Sequence, residues 1–149
     1  MADYAGVGSR IVAIIIDTII LWIIAVIIAI PLGLLSAFTG MMTDVTAMMN
    51  LFANAAIWGT FTVVNAIIWI LYFSYFESTS GQTPGKRAMS IKVTKEDGSK
   101  ATFVDALVRT ILRIIDGIFF YILGLIIILV TEKKQRLGDI LARTIVVKA

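Results

Sequence analysis

The stretch that decides the fold is Ala101–Val130, which reads ATFVDALVRTILRIIDGIFFYILGLIIILV. As one straight helix it would measure about 45 Å, against about 30 Å for a bilayer's hydrocarbon core, so a single crossing requires strong tilt. Its halves also differ in chemistry. Asp105, Arg109, Arg113 and Asp116 fall in the first half, whereas Ile118–Val130 carries no charge. Asp116-Gly117 stands at the junction, where a break is favoured.

The rest of the chain places this stretch in a membrane. Of 149 residues, 59% are hydrophobic and 15% charged, and the mean hydropathy is +0.96. A soluble domain usually has about a quarter charged residues, and so small a core cannot hide this much apolar surface from water. The composition excludes a soluble enzyme, a disordered chain and a disulfide-stapled secreted domain. With no Cys and no His there is no thiolate or imidazole for catalysis or metal binding. No cofactor is expected. The net charge of +3 includes no basic cluster dense enough for nucleic acid.

Two further apolar stretches are long enough to cross. The first, Ile11–Leu35, is interrupted only by Asp17, Thr18, Pro31 and Gly33, and a helix of that length reaches about 36 Å. A cleavable signal peptide is the rival reading, disfavoured by the length and by an acid near the start. The second, Ala55–Phe76, is uncharged, with Trp58 near one end and Tyr72, Tyr75 and Phe76 near the other, as in an aromatic belt. Thr62 and Asn65 fall on it at helical spacing and are expected at a helix–helix contact. Residues 38–54, with Met41, Met42, Met48 and Met49, read as an outer loop or interfacial helix rather than a copper site.

Charge then sets orientation and exposes a conflict. Residues 36–54 hold no Lys or Arg and should face outward. Residues 77–100 carry Lys86, Arg87, Lys92, Lys95 and Lys100, and residues 131–149 carry Lys133, Lys134, Arg136, Arg143 and Lys148. Both segments ask to be cytoplasmic, yet three simple crossings from a cytoplasmic N-terminus would leave the tail outside. If 101–115 enters the membrane and 118–130 returns, the conflict disappears. One tilted helix with a tail that violates the charge bias is the alternative.

The expected architecture is an all-α membrane protein forming one domain over 1–149. It comprises two full crossings at about 11–35 and 55–76 and a broken third segment at 101–115 and 118–130, a short hairpin or interfacial helix with a re-entrant piece. A cytoplasmic loop (77–100) and a cytoplasmic tail (131–149) complete it. Ser90–Lys95 alternates in strand fashion, Asp97-Gly98 signals a turn before Ala101-Thr102-Phe103, and Thr144–Val147 reads as a second strand. A small cytoplasmic β-hairpin or sheet follows, the two strands lying on one side where they can pair and clasp the helix ends. Arg136–Arg143 suits a short interfacial helix with Leu137, Ile140 and Leu141 on one side.

Ionisable groups in apolar helices are costly and need a partner or a purpose. Arg10 and Asp17 share a helix face, and Asp105, Arg109, Arg113 and Asp116 form one stripe, so the two sets are expected to pair across the bundle. Asp17 and Asp116 lie deepest in apolar sequence and are the candidate cation- and proton-binding carboxylates, with Arg10, Asp105, Arg109 and Arg113 as charge-network partners. Thr83-Pro84-Gly85-Lys86-Arg87 lacks phosphate-loop spacing and reads as a turn. Lys86 and Arg87 are then contacts to lipid headgroups or to Asp139 or Glu132, and Arg136 and Asp139 are further lipid- or loop-contact candidates.

These residues resemble a family. Arg10 and Asp17 opening the first helix, Gly81-Gln82-Thr83-Pro84-Gly85-Lys86-Arg87, Asp116, and Gln135-Arg136-Leu137-Gly138-Asp139 before Thr-Ile-Val-Val are similar to the RDD family of small prokaryotic membrane proteins. Arg10, Asp17 and Asp116 match its arginine and two aspartates, with Asp139 the other choice for the second aspartate. The resemblance implies a role in transport, including sodium/proton antiport.

Two functions of different classes follow, a small transporter as the expected one and a non-catalytic module as its alternative. One is monovalent cation (Na⁺, Li⁺ or K⁺)/proton antiport through Asp17 and Asp116, in a homo-oligomer because one chain offers few helices. The other is a non-catalytic scaffold, assembly or lipid-interacting module held by a buried Arg/Asp network. Three acids against three bases in the two stripes favour the static network. An intramembrane aspartyl protease lacks any supporting pattern, so no enzyme is expected. The membrane is the cell membrane, crossed more than once, with both termini cytoplasmic.

Overall fold

The computed structural model describes residues 3–34, 39–40, 44, 46, 49, 53, 55–118 and 122–149. Helix α1 spans Val7–Ala29 and ends earlier than hydropathy alone implies. Pro31 has no N–H to continue the ladder, and Gly33 turns at φ 70° with its N–H donating to Ile30 O at 3.0 Å. Helix α2 spans Ala55–Thr79, three residues beyond Phe76, and so takes in Glu77. It stops before Gly81, at φ 71°, where a Cβ would lie 2.7 Å from Val93 O.

A short helix α3, Pro84–Ala88, begins with Thr83 as its cap and Pro84 in the first turn, and leads into strand β1, Ile91–Lys95. The Asp97-Gly98 turn does form, Gly98 N–H donating to Lys95 O at 3.0 Å, but no strand follows it. Thr102 instead starts a helix. Its N–H donates to Asp105 Oδ2 at 2.8 Å while Asp105 N–H donates to Thr102 Oγ1 at 3.2 Å, a reciprocal cap.

Helix α4 runs from Phe103 to Ile118 and passes unbroken through Asp116-Gly117. Its intrahelical ladder holds there because one Gly costs a helix only about 1 kcal/mol. Helix α5 follows at Ile122–Val130, then α6 at Leu137–Leu141 and strand β2 at Thr144–Lys148. The break expected at Asp116-Gly117 is therefore not there, and residues 119–121 lie outside the described residues. The sheet is also not a local hairpin. Strand β1 pairs antiparallel with β2, Val93 opposite Val146 and Lys95 opposite Thr144. Tyr4 bridges to Val147 and Ala5 N–H donates to Val146 O at 2.9 Å, which brings the N-terminal segment onto the same layer.

The chain forms two compact units. One comprises Met1–Asp17 with Ile70–Ala149, and its apolar centre is Ala5, Ala13, Ile91, Val93, Ala101 and Val146. The other is Thr18–Trp69. There Asn65 turns its Nδ2 to Phe61 O of its own helix at 2.8 Å and Thr62 is exposed, and neither makes a hydrogen bond to another helix among the described residues. Of the four methionines singled out, Met49 is exposed, and Met41, Met42 and Met48 lie outside the described residues.

Burial is inverted relative to a water-soluble protein. On α1 the buried side chains are Arg10, Ala13 and Asp17, while Ile11, Ile15, Ile19, Trp22, Ile23 and Ile27 are exposed. On α4 Arg109, Thr110, Arg113 and Asp116 are buried, whereas Phe103, Val104, Ile111, Ile114 and Ile115 face out. Leaving an Ile side chain in water forgoes roughly 1.5–3 kcal/mol, so this pattern belongs to an apolar surrounding. Val7–Ala29 and Ala56–Thr79 are both long and apolar enough to cross a membrane.

Candidate functional site

Glu77 is the centre of a buried charge cluster. Its side chain has no exposure, and three cations converge on it: Lys86 Nζ at 2.5 Å, Arg109 Nε at 3.0 Å and Arg113 Nη2 at 3.1 Å. Arg113 also lies over the Phe73 ring, 4.1 Å from its centre. The cluster continues through Arg109, whose Nη1 reaches Asp139 Oδ1 at 2.7 Å and also donates to Thr144 Oγ1. Arg10 Nη1 meets Asp139 Oδ2 at 3.5 Å. One network therefore joins α1, α2, α3, α4, α6 and the start of β2.

Local structure explains the spacing of these residues. Arg109 and Arg113 are one helical turn apart on α4, so both reach Glu77. Gly138 lets α6 approach α4 closely, since a Cβ there would sit 3.2 Å from Arg109 Cα and O. Asp139 lies in the first turn of α6 and accepts from Arg136 N–H at 3.1 Å. Burial pushes its carboxyl upward, but Arg109, Arg136 and Arg10 outweigh that and hold it below the usual carboxylate range. Burial lowers Lys86 to about 8, against the pull of Glu77 and with Arg109 and Arg113 adding to the fall.

Asp17 belongs to a separate arrangement with neutral donors only. Its Oδ1 accepts from Tyr72 OH at 2.9 Å and from Gly85 N–H at 2.8 Å, and its Oδ2 accepts from Thr83 Oγ1 at 2.5 Å. Gly85 is required by this contact, because a Cβ would fall 2.1 Å from Ala13 O and 2.9 Å from the Asp17 carboxyl. The Gly81-Gln82-Thr83-Pro84-Gly85-Lys86 run is thus a clasp: Gly81 fits beneath β1, Thr83 and Gly85 hold Asp17, and Lys86 holds Glu77. Lys86 is buried and meets Glu77, not lipid, Asp139 or Glu132, while Arg87 is exposed.

Asp116 is only 2% exposed, and its Oδ1 has no hydrogen-bond partner. It lines a small cavity together with Arg10, Lys86, Arg109, Arg113, Arg136 and Asp139. Cations outnumber carboxylates here. Burial, with Arg113 alongside, lowers the Arg136 guanidinium below its ordinary value against the pull of Asp139.

Several expected pairings are therefore replaced. Arg10 pairs with Asp139 rather than with the acids of the α4 stripe, and Asp105 pairs with Lys95 at 3.1 Å near the surface. Asp17 takes no cation partner among the described residues. Glu77 was not singled out from the sequence, because it follows an aromatic run that reads as a helix end. The signal that could have found it is the charge count: adding Lys86 to Arg10, Arg109 and Arg113 leaves four bases against Asp17, Asp105 and Asp116, one acid short. No group of three or more His, Cys, Asp or Glu that could hold a metal occurs among the described residues.

Comparison with known proteins finds one family and one curated relative. The family model described as "RDD family" matches residues 4–143, which contain every charged member of the network. YxaI of Bacillus subtilis (strain 168), an uncharacterized protein, is 35% identical over 86 residues, covering 57% of this chain and 56% of that relative. The chain thus spans little more than half the length of the curated relative it matches. No solved structure matches.

Proposed function

The chain belongs to the RDD family, and from that premise we propose that this membrane protein is a multi-pass, lipid-facing module without transport chemistry at Asp17. In this reading the buried network fastens a cytoplasmic polar layer to two crossing helices. The carrying observation is Glu77, fully buried with three cations within 3.1 Å. Such a cluster is costly to open in a low-dielectric surrounding, which suits a fixed joint better than an exchange site.

Orientation follows from the sheet and the charge pattern. Pairing of β1 with β2 keeps residues 77–100 and 131–149 on one layer, and their ten Lys and Arg favour the cytoplasmic side. Residues between them must then leave and return on the same side. Helices α4 and α5, about 24 and 14 Å long at 1.5 Å per residue, are each too short for a full crossing. With its apolar face outward, α4 suits the interface, and both termini are cytoplasmic.

A second reading, monovalent cation/proton antiport in a homo-oligomer, draws on one observation: the buried Asp116 carboxyl with an unpartnered oxygen beside a cavity. The cation excess of that cavity counts against it. The test is proton flux in proteoliposomes on addition of sodium, lithium or potassium gluconate, with Asp116→Asn beside the native chain. The module reading expects no cation-dependent flux. Flux that Asp116→Asn abolishes would replace it with antiport.

A further inference from the structure

The cavity beside Asp116 holds polar groups that the charge network leaves over. Arg10 is buried, its Nε has no partner, and its Nη1 and Nη2 reach Asp139 and Val146 O only at 3.5 Å each. Arg136 donates to Asp139 through its backbone, and its guanidinium forms no salt bridge among the described residues. Counting Glu77 behind Lys86, the five cations around the cavity face three carboxylates. A buried excess of positive charge attracts an anion, and guanidinium N–H groups are strong donors to one. The space suits a water-sized group rather than a large one.

We propose that this cavity binds a small inorganic anion of halide size, held by Arg10 and Arg136, with the carboxyl of Asp116 protonated and donating to it. Asp116 is buried with a free oxygen, so as a carboxylate it would repel the anion and as an acid it supplies a third donor. The proton comes from solvent and stays on Asp116. One anion and one proton therefore enter together, and the charge of the site does not change.

Among the described residues, the charged groups that line the cavity with Asp116 are all part of this balance: Arg113 and Arg109 on α4, Arg10 on α1, Lys86 on α3, Arg136 preceding α6 and Asp139 on it, with Glu77 of α2 behind Lys86. Arg109 and Arg113 are already engaged by Glu77 and Asp139. That leaves Arg10 and Arg136 as the donors with capacity to spare.

The test is chloride binding to the purified full chain in nanodiscs, read by thermal unfolding and by chloride NMR line broadening. Sodium gluconate keeps ionic strength constant. Chloride is expected to raise the unfolding temperature and broaden its own resonance at pH 6, with affinity weakening toward about tenfold per pH unit once Asp116 loses its proton. Asp116→Asn keeps a donor without an exchangeable charge and should bind chloride with no such pH dependence below about pH 7, short of the range in which Lys86 titrates. Arg136→Gln should weaken binding at least tenfold, and Arg136→Lys should recover part of it. Phosphate, being larger, should not compete. Absence of chloride broadening in the native chain would overturn the proposal without recourse to any variant. An effect unchanged in Arg136→Gln, or one whose pH dependence below about pH 7 survives Asp116→Asn, would do the same.

Discussion

Glu77 and Arg109, thirty-two residues apart in sequence, meet at 3.0 Å with Glu77 wholly buried and Arg109 5% exposed. The contact ties the end of a membrane-length helix to an amphipathic one. Because Arg109 also holds Asp139 at 2.7 Å, the guanidinium links two acids that belong to different parts of the chain.

Removing that link leaves two buried carboxylates short of a partner. Arg109→Gln is expected to cost about 3–5 kcal/mol, the penalty for uncompensated buried charge. Equilibrium unfolding in mild detergent checks it. A loss below about 1 kcal/mol, as at an exposed pair, would mean the site is solvated.

Glycine at position 85 is a steric demand. Gly85→Ala would drive a Cβ to 2.1 Å from Ala13 O, and backbone cannot move aside cheaply. We expect a fold too weak to purify as a monodisperse species. Gly59→Ala has nothing within 4 Å and lies inside α2, so it should be neutral or stabilising by about 0.5–1 kcal/mol. Equal outcomes for the two would contradict the clasp.

Asp17→Asn tests the same clasp electronically. The amide nitrogen would turn a donor toward Tyr72, Thr83 or Gly85, all of which donate now. A loss of about 1–3 kcal/mol is expected, the cost of leaving a buried donor unmade. Denaturant titration should show it, while Asp17→Glu, which keeps the acceptors but lengthens the arm, should lose part of the stability.

Acid should weaken the network in a defined window. The folded Asp139 carboxyl titrates below its unfolded value of about 3.9, so its ion pairs give their full contribution above that value. The contribution is lost as pH falls further, through the folded value. Unfolding free energy should fall below about pH 4, and Asp139→Asn should remove part of that slope. A native profile that stays level to pH 2 would contradict the assignment.

Much of the frame was legible in the chain. Hydropathy located α1 and α2, and charges set in apolar sequence pointed to Arg10, Asp17, Arg109, Arg113 and Asp116, all of which are buried. The strands at Ser90–Lys95 and Thr144–Val147 and their pairing were legible as well, and the structure adds the antiparallel register. What escaped was the centre of the charge network. Glu77 escaped because aromatic residues at 72, 75 and 76 read as an interfacial end, whereas the helix continues to Thr79. Asp116-Gly117 read as a break because glycine weakens a helix, yet the surrounding hydrogen bonds carry it.

The central claim is that Glu77 and its cations act as one joint, and a double-mutant cycle on Glu77→Gln and Lys86→Met measures this most directly. Each single variant should lose stability, Glu77→Gln the more because three cations then lose the acid they share. The pair should lose clearly less than the sum, with a coupling of about 1–3 kcal/mol. Additivity within about 0.5 kcal/mol would show that the two residues do not sense each other and would contradict the account.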